Sequence, residues 1–483
     1  MNRLPGALFF AGLATMVGTI IICWIAVPGI VHWQITKMIR LEPGNDVWNA
    51  WEHIKAPIYL HAYIFNITNA DDVLKGETPQ LQQLGPYVYE QKRSKEILQI
   101  NEKNGTVIYK PTMLHFFRPD LSNGTEEDPI TMLNIPLLSV ASELGTMSSM
   151  IRYMARYYLD SFEEEPFMHT NAGTVLFKGS HVPMIESISE LMGRELLPNS
   201  TFAFFIERNG PSPDNFEVDS GVLDSKGFGD IKSWKGKHEL DVWGGPTCNM
   251  INGSDSTIYA PFITKQKIIR VFEAEICRSL YLTYEHEEEA YGIPGYKFSP
   301  PSNIFGSENP DNECFCKETD KTKCPKSGVV SIGPCKNNAP IFISNPLFLD
   351  ADPSYREPFG FEPNASLHRP YLIVEPRTGV VLEGRKRVQL NTHLKPSDAI
   401  DVFANVPDIM VPLVWIDEAA VQEEVQLNKL RNMLVTPLRV VEYGKWSMLA
   451  VSCTMTVIGI AIFMLKTKNQ KIEARETEKF LFM

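Results

Sequence analysis

The sequence lacks a surplus of positive charge. Its 46 Lys and Arg are outnumbered by 58 Asp and Glu, for a formal net charge of −12. A chain with that balance has no basic footprint for nucleic acid. Catalytic signatures are missing too. No G-x-S-x-G, P-loop or H-E-x-x-H occurs, and Gly227-Phe-Gly229 stops short of a full G-x-G-x-x-G. His286 with Glu287, Glu288 and Glu289 imitates a metalloprotease helix for two residues, but Ala290 ends the likeness, and the run reads as a solvated face. Paired C-x₂-C spacing is absent, which argues against a zinc framework. Nothing supports an enzyme, a metal site or a cofactor. Internal repeats and low-complexity segments are also lacking.

Charge disappears altogether in two places, from Ala7 to Val31 and from Trp446 to Leu465. Each run is long enough to cross a hydrocarbon core of roughly 30 Å as a helix. The first exceeds the roughly 7–15 apolar residues of a signal peptide, with no small-x-small site after it, and reads as an uncleaved anchor. Lys466, Lys468, Lys471, Arg475 and Lys479 put the carboxy-terminal tail in the cytosol, whereas Arg3 against Lys37 and Arg40 decides nothing. Trp33, Tyr443 and Trp446 suit the membrane interfaces. The expected layout is a cytosolic tail 1–6, a transmembrane helix 7–31, an extracellular ectodomain 32–445, a transmembrane helix 446–465 and a cytosolic tail 466–483.

Between the spans lie Cys248, Cys277, Cys314, Cys316, Cys324 and Cys335, an even number in an oxidising compartment. They read as three disulfides whose connectivity spacing alone leaves open. Cys23 and Cys453 fall inside the spans. Six sequons place acceptors at Asn66, Asn104, Asn123, Asn199, Asn252 and Asn364, three of them in Asn-Gly turns.

The loop between the spans is rich in strand and turn signals. Gly85-Pro86 punctuates the chain before the alternating run Tyr87-Val88-Tyr89. Ile97–Ile100 and Thr106–Tyr109 flank Asn104-Gly105, a hairpin signature. Tyr371–Val374 and Val380–Leu382 flank a second turn, and Val388, Leu390, Thr392 and Leu394 alternate as one buried face requires. One segment has helical period: apolar residues recur from Leu137 to Phe162. A second helix is expected from Val182 to Leu191, capped by Ser180 and ended by Gly193, and a third amphipathic stretch runs from Ala420 to Leu434. Met147, Met150 and Met154 make an adaptable surface, beside Arg152 and Arg156 one turn apart. The rival reading of that stripe is plain core packing.

Several blocks carry a specific likeness. They are Cys248-Asn249-Met250-Ile251-Asn252-Gly253, Ala260-Pro261-Phe262, Ile276-Cys277-Arg278-Ser279, Gly292-Ile293-Pro294, Asn309-Pro310-Asp311-Asn312 and Cys314-Phe315-Cys316. Leu84-Gly85-Pro86-Tyr87 and Val411-Pro412-Leu413-Val414-Trp415 fit as well. Over nearly its whole length the chain resembles the class B scavenger receptors, a family that includes the lysosomal integral membrane protein and the insect sensory neuron membrane proteins.

The resemblance implies an α+β membrane protein in which two transmembrane helices flank a single ectodomain. That ectodomain would be an irregular antiparallel β-barrel with an apical helical bundle and a lipid tunnel. It implies disulfides Cys248–Cys314, Cys277–Cys335 and Cys316–Cys324. Lipid-binding residues would sit in the apical bundle: Leu144, Met147, Met150, Ile151, Arg152, Met154, Arg156, Met184 and Ile188. The length-based expectation of several domains yields to one. Where fatty-acid-binding relatives carry apical lysines, this chain has Glu163-Glu164-Glu165, and its tails lack the cysteines that some relatives palmitoylate.

The implied function is a plasma-membrane receptor that takes fatty acids, sterols or carotenoids from carrier particles and passes them through the tunnel. Implied partners are lipids, lipoproteins or lipid-carrier proteins and the bilayer, with a homo-oligomer left open. The alternatives are a phagocytic or adhesion receptor without transport, a sensory neuron protein delivering hydrophobic odorants, and a lysosomal or endosomal cargo receptor.

Overall fold

The computed structural model describes residues 4–481 except 151, 154–161, 163, 194–195 and 398–399. It divides into a helical unit, up to Met38 and from Glu424 onward, and a β-rich unit, Ile39–Glu423.

The helical unit contains the two apolar spans. The first runs as α-helix through Leu4–Ile20 and Val27–Met38, joined by π-helical Ile21–Ala26. The second runs through Glu424–Leu430, π-helical Arg431–Val435 and Thr436–Leu481. Both extend well past the charge-free stretches, because the helix continues through Lys and Glu flanks of good helix propensity. The spans cross antiparallel at small residues. A Cβ on Gly12 would lie 2.5 Å from Thr456 Oγ1, and one on Gly459 would lie 2.8 Å from the Phe9 amide. Close approach over glycine is how apolar helices associate when lipid removes any hydrophobic drive between them. Only 11% of each apolar window is buried by protein, so these surfaces call for a bilayer.

The β-rich unit is built on one large antiparallel sheet. Its principal strands are β1 (His53–Ile67), β2 (Leu81–Asn101), β3 (Thr106–Phe117), β4 (Phe216–Asp219), β5 (Ile231–Trp234) and β6 (Ile269–Glu273). They continue as β7 (Arg278–Ala290), β8 (Ile293–Ser299), β9 (Ile341–Ser344), β10 (Tyr371–Val374), β11 (Val381–Leu394) and β12 (Ile409–Val421). The hydrogen-bonded order is β5-β4-β3-β2-β1-β12-β11-β10-β8-β7-β6, with β9 branching from β11. The two end strands nearly meet: Ile231 N–H donates to Gly253 O (2.8 Å) and Ser254 N–H to Arg270 O (3.1 Å), so Gly253-Ser254 fills the seam of an almost closed barrel.

The Asn104-Gly105 hairpin joins β2 to β3 with Asn101 opposite Thr106, and Val374 opposes Val381 across the second turn. β2 begins earlier than its punctuation indicates. It absorbs Gly85-Pro86 as an irregularity opposite Ala62–Ile64, where Gly85 (φ 109°) lets the backbone approach Ala62 O.

Helices α1 (Asp46–Glu52), α2 (Ile135–Thr146) and α3 (Pro183–Met192) are the longer helices described in this unit. In α2 the Asn134 side chain accepts the Leu137 N–H at 3.0 Å. The expected stripe to Phe162 is broken: α2 ends at Met147 (φ −89°, ψ 165°), beyond the poor helix former Gly145, and Ser148 starts a new turn whose carbonyl accepts the Arg152 N–H. Helix α3 ends on left-handed Gly193 as expected, but Ser180 lies in a short strand, and the position before Pro183 is Val182, without a side-chain cap. The stretch from Ala420 begins as the end of β12 and turns helical only at Glu424.

Apolar residues of α2 and α3 (Leu137, Val140, Leu144, Met184, Ile185, Ile188) pack into one cluster with Leu60, Ala62, Ile64, Val414 and Ile416 of the barrel wall. The cap thus covers the pole where β1 ends. The chain joins and leaves the β-rich unit at the opposite pole, before β1 and after β12.

Candidate lipid-binding site

Directly opposed residues of antiparallel strands share a face, so register sorts the barrel's inner wall into rows. Nearest the cap are Ile64, Val414 and Leu390. Next come Tyr87, Ala62, Ile416 and Val388, then Phe117, Tyr89, Leu60, Glu418 and Lys386. The wall is apolar for two rows and turns charged at the third.

A segment of the cap enters beside this boundary. Phe177 stacks near Tyr89 (4.5 Å between ring centroids) and His115 (4.6 Å), and Phe205 follows at 5.6 Å from Phe177. The short turn Ile206–Arg208 then brings the Arg208 guanidinium to 2.7 Å from both Glu418 and Glu275. Glu418 also pairs with Arg93, and Lys386 pairs with Glu273 (2.7 Å) and Glu275 (3.7 Å). Arg93, Arg208 and Lys386 balance Glu273, Glu275 and Glu418.

These groups titrate unlike free side chains. Burial pushes Glu418 up, but Arg93, Arg208 and Lys386 outweigh it and hold the carboxyl well below its ordinary range. Glu275 is likewise lowered against burial, by Arg208 and Lys386. Glu273 goes the other way, raised by burial with help from Glu275 and Glu418. His115 is lowered to about 4, by burial first and the Arg208 charge second.

β11 keeps only part of its expected pattern, with Thr392 and Leu394 fully buried. Its outer polar residues Gln389 and Asn391 are 0% exposed, whereas the inward Val388 and Leu390 are only half-buried. Gln389 is satisfied where it lies: Oε1 accepts the Leu347 N–H (2.8 Å), and Nε2 donates to Asn391 Oδ1 (2.8 Å). Val388 and Leu390, with half-buried Ile341 of β9, touch both the cap cluster and a second cluster of Ile276, Ile304, Phe305, Val330, Ile332 and Ile343. They form an apolar seam between two packed cores, bounded by the paired charges.

The structure divides the residues expected to bind lipid. Leu144 (2% exposed), Met184 (0%) and Ile188 (2%) are core side chains facing the barrel, and Met147 packs at the edge of that core. Met150 is exposed and Arg152 half-buried, while Ile151, Met154 and Arg156 lie outside the described residues. The charged groups at the wall's third row were missed. Their signal was a break in strand period, Glu418 two residues after Ile416 and Arg93 two after Gln91, at inward positions. Among the described residues no cluster of His, Cys, Asp or Glu is arranged to hold a metal. His286 and its acidic neighbours lie in β7, a strand rather than a helix.

Three disulfides staple the wall opposite β1: Cys248–Cys314, Cys277–Cys335 and Cys316–Cys324. The Arg278 guanidinium stacks 3.9 Å from the Phe315 ring and donates to Ile304 O and Asn312 Oδ1, tying this stapled region to β7. Of the acceptor asparagines, Asn104, Asn123, Asn199 and Asn364 are exposed, and Asn66 and Asn252 are half-buried.

Two apolar helical spans and a disulfide-stapled barrel with a helical cap define a class of two-pass membrane proteins with one large β-rich domain. The chain belongs to the CD36 family, which it matches over residues 10–463. It is 32% identical to scavenger receptor class B member 1 of Bos taurus, covering 97% of this chain and 91% of that protein. To lysosome membrane protein 2 of Mus musculus it is 31% identical, covering 84% of each. The family and the fold together make it a scavenger-receptor-type membrane protein.

Proposed function

We propose that this chain is a cell-surface lipid receptor that takes hydrophobic lipids from carrier particles and conducts them through the barrel to the bilayer. The observation that carries this reading is the half-buried apolar seam of Ile341, Val388 and Leu390 between two packed cores. A fold that fully buries Gln389 yet leaves Leu390 half open has kept apolar surface free for an apolar ligand. Each methylene removed from water contributes about 0.8 kcal/mol, so a long acyl chain faces on the order of ten kcal/mol in crossing water unaided. An apolar passage lowers that barrier without chemistry, and no catalytic role is needed.

The wall suits an amphipathic guest. Acyl carbons would lie along the Leu390 and Val388 rows, and a polar head would meet Arg208, Lys386 and Glu418. The ectodomain would face the cell exterior, with glycans at the six sequons and both tails in the cytosol. The cap would receive the carrier through Met147, Met150 and Arg152, together with Ile151, Met154 and Arg156.

The test is Leu390→Trp and Val388→Trp in cells expressing the full chain. Uptake of labelled lipid should fall to the level of untransfected cells while particle binding persists. Undiminished uptake by both variants, with no lipid co-purifying with the wild type, would overturn the reading in favour of an adhesion receptor.

A further inference from the structure

The turn Ile206–Arg208 is fastened to the barrel on both of its sides. On one, Asn209 Oδ1 accepts the His115 backbone N–H of β3 at 3.0 Å, and the short strand Gly210–Pro211 then pairs with Met113 and Thr112. On the other, Glu207 meets Lys336 at 3.3 Å, next in the chain to the Cys277–Cys335 staple. Between these anchors Arg208 reaches Glu418 of β12 and Glu275, just past β6. β3, β12 and β6 stand well apart in the strand order, so the turn runs across the barrel rather than along one wall. Phe177, against Tyr89 and His115, packs beside it with Phe205, whose ring lies 5.8 Å from the Arg208 guanidinium.

This arrangement leaves polar atoms unpaired. Among the described residues no hydrogen-bond partner engages His115 Nδ1, His115 Nε2 or Arg208 Nη1, although all three atoms are shut off from solvent. A buried donor or acceptor without a partner costs free energy, which is recovered when the group moves to where water or another polar atom can reach it. Ion pairs therefore hold the turn in place against a local opposing force. Arg208–Glu418 is the buried one, whereas Glu207 and Lys336 are 55% and 39% exposed and contribute little. An element fastened by pairs and opposed by unpaired groups is the kind that moves between two arrangements.

We propose that the Ile206–Arg208 turn is a gate on the barrel's passage, barring it at the third row until Arg208 swings away from Glu418. This inference rests on the reading of the barrel as a lipid passage and adds what controls it. Above the turn the wall offers Leu390, Val414 and Ile64, then Val388, Ile416 and Ala62, all apolar. At the turn a guest's hydrocarbon would have to displace paired charge from a dry site, which is unfavourable while the pairs stay closed. Phe177 and Phe205 are the first side chains that a guest arriving from the cap would push aside, and Arg208 follows Phe205 within the same short turn. Their displacement carries the guanidinium off Glu418 and releases the His115 ring to find a polar partner.

The test measures uptake of radiolabelled cholesterol from lipoprotein particles by cells that express the full chain at equal surface level. Thr112 and Pro211 are directly opposed, and beside them the Ser212 N–H donates to Pro111 O, so they form a non-hydrogen-bonded pair with Cα atoms about 4.5 Å apart. Cysteines at both positions can bridge at that separation. The doubly substituted Thr112→Cys, Pro211→Cys chain, its bridge verified by peptide mass spectrometry, should hold the turn shut and cut uptake to the level of untransfected cells. Each single substitution should take up lipid as the wild type does. Glu207→Gln frees one exposed anchor and should raise uptake, by up to about fivefold, the scale of an exposed ion pair. His115→Phe needs no polar partner beside the closed turn, and should lower uptake while melting at or above the wild-type temperature. Wild-type uptake in the bridged chain, or no gain in Glu207→Gln, would overturn the gate. Leu390→Trp then separates the two readings: if it abolishes uptake, the passage stands and only the gate is discarded, and if it does not, the passage falls with the gate.

Discussion

Arg208 and Glu418 stand 210 residues apart in the chain and 2.7 Å apart inside the barrel, each side chain 9% exposed. The pair ties the cap's inserted turn to β12, at the row where the inner wall changes from apolar to charged. Several expected outcomes grow from this relationship and from the seam.

Arg208→Ala leaves Glu418 and Glu275 short of a counter-charge in a dry site. Breaking a buried pair from one side costs about 3–5 kcal/mol. Denaturant unfolding of the purified chain should report a loss of that size, and a cycle with Glu418→Ala should show strong coupling. A loss under about 1 kcal/mol, the scale of an exposed pair, would mean that solvent reaches the site.

The pH profile follows from His115 and Glu418. The His115 pKa is depressed in the folded state to about 4 from 6.5, so between those values the unfolded chain binds the extra proton. Stability is then full above pH 6.5 and is lost as pH falls towards 4, by about 3 kcal/mol. Glu418, also depressed, withdraws further stability as pH falls below the usual carboxylate range. Glu273 opposes this, because its raised pKa favours protonation in the folded state. His115→Gln should flatten melting temperature between pH 6.5 and 5; an unchanged slope would remove His115 from the account.

Gly253→Ala tests the closure. Gly253 sits at φ +99°, and a Cβ there would lie 2.2 Å from the Arg270 carbonyl carbon. Neither strain can relax without parting β5 from β6. Stability should fall by about 3 kcal/mol or more. Wild-type melting in this variant would show that the seam is not where the barrel is held.

Loss of disulfides should be graded by the loop each closes. Cys248–Cys314 spans 66 residues and Cys316–Cys324 only 8. Chain-entropy arithmetic assigns about 4 kcal/mol to the first and about 2.5 to the second. Paired serine substitutions at Cys316 and Cys324 should therefore mature to the cell surface better than those at Cys248 and Cys314, measured by surface labelling. The reverse order would place the value of the short bridge in local geometry.

Inside the membrane, Gly12→Leu should separate the two spans, because the added side chain would overlap Thr456. Cross-linking of cysteines introduced at Phe9 and Gly459 should fall in that variant. Undiminished cross-linking would show that the helices associate elsewhere.

Much of the framework was legible in local patterns. Two charge-free runs marked the spans, Asn104-Gly105 marked a hairpin, Tyr371–Val374 and Val380–Leu382 marked the flanks of another, and Gly193 marked the end of a helix. Each is a signal carried by a few neighbouring residues. The stripe from Leu137 was read as one continuous helix, because its apolar period runs across Gly145, whereas α2 stops at Thr146 and Ser148 starts a new turn. β11 was read with a buried face at Val388, Leu390, Thr392 and Leu394; the last two are fully buried, whereas Val388 and Leu390 are half-buried and Gln389 between them is fully buried.

The sequence by itself determined that this chain has two apolar spans, a β-rich body between them and six cysteines to staple it. Those properties depend on period, charge and composition, which act over a few residues at a time. Only the tertiary structure decided that Arg208 meets Glu418, that Gly253-Ser254 closes the barrel, and that Leu390 stays half open while Gln389 is buried. Such outcomes depend on which distant surfaces arrive together. A long-range ion pair or an apolar seam exists only when packing removes water from one side of a strand and not from the other.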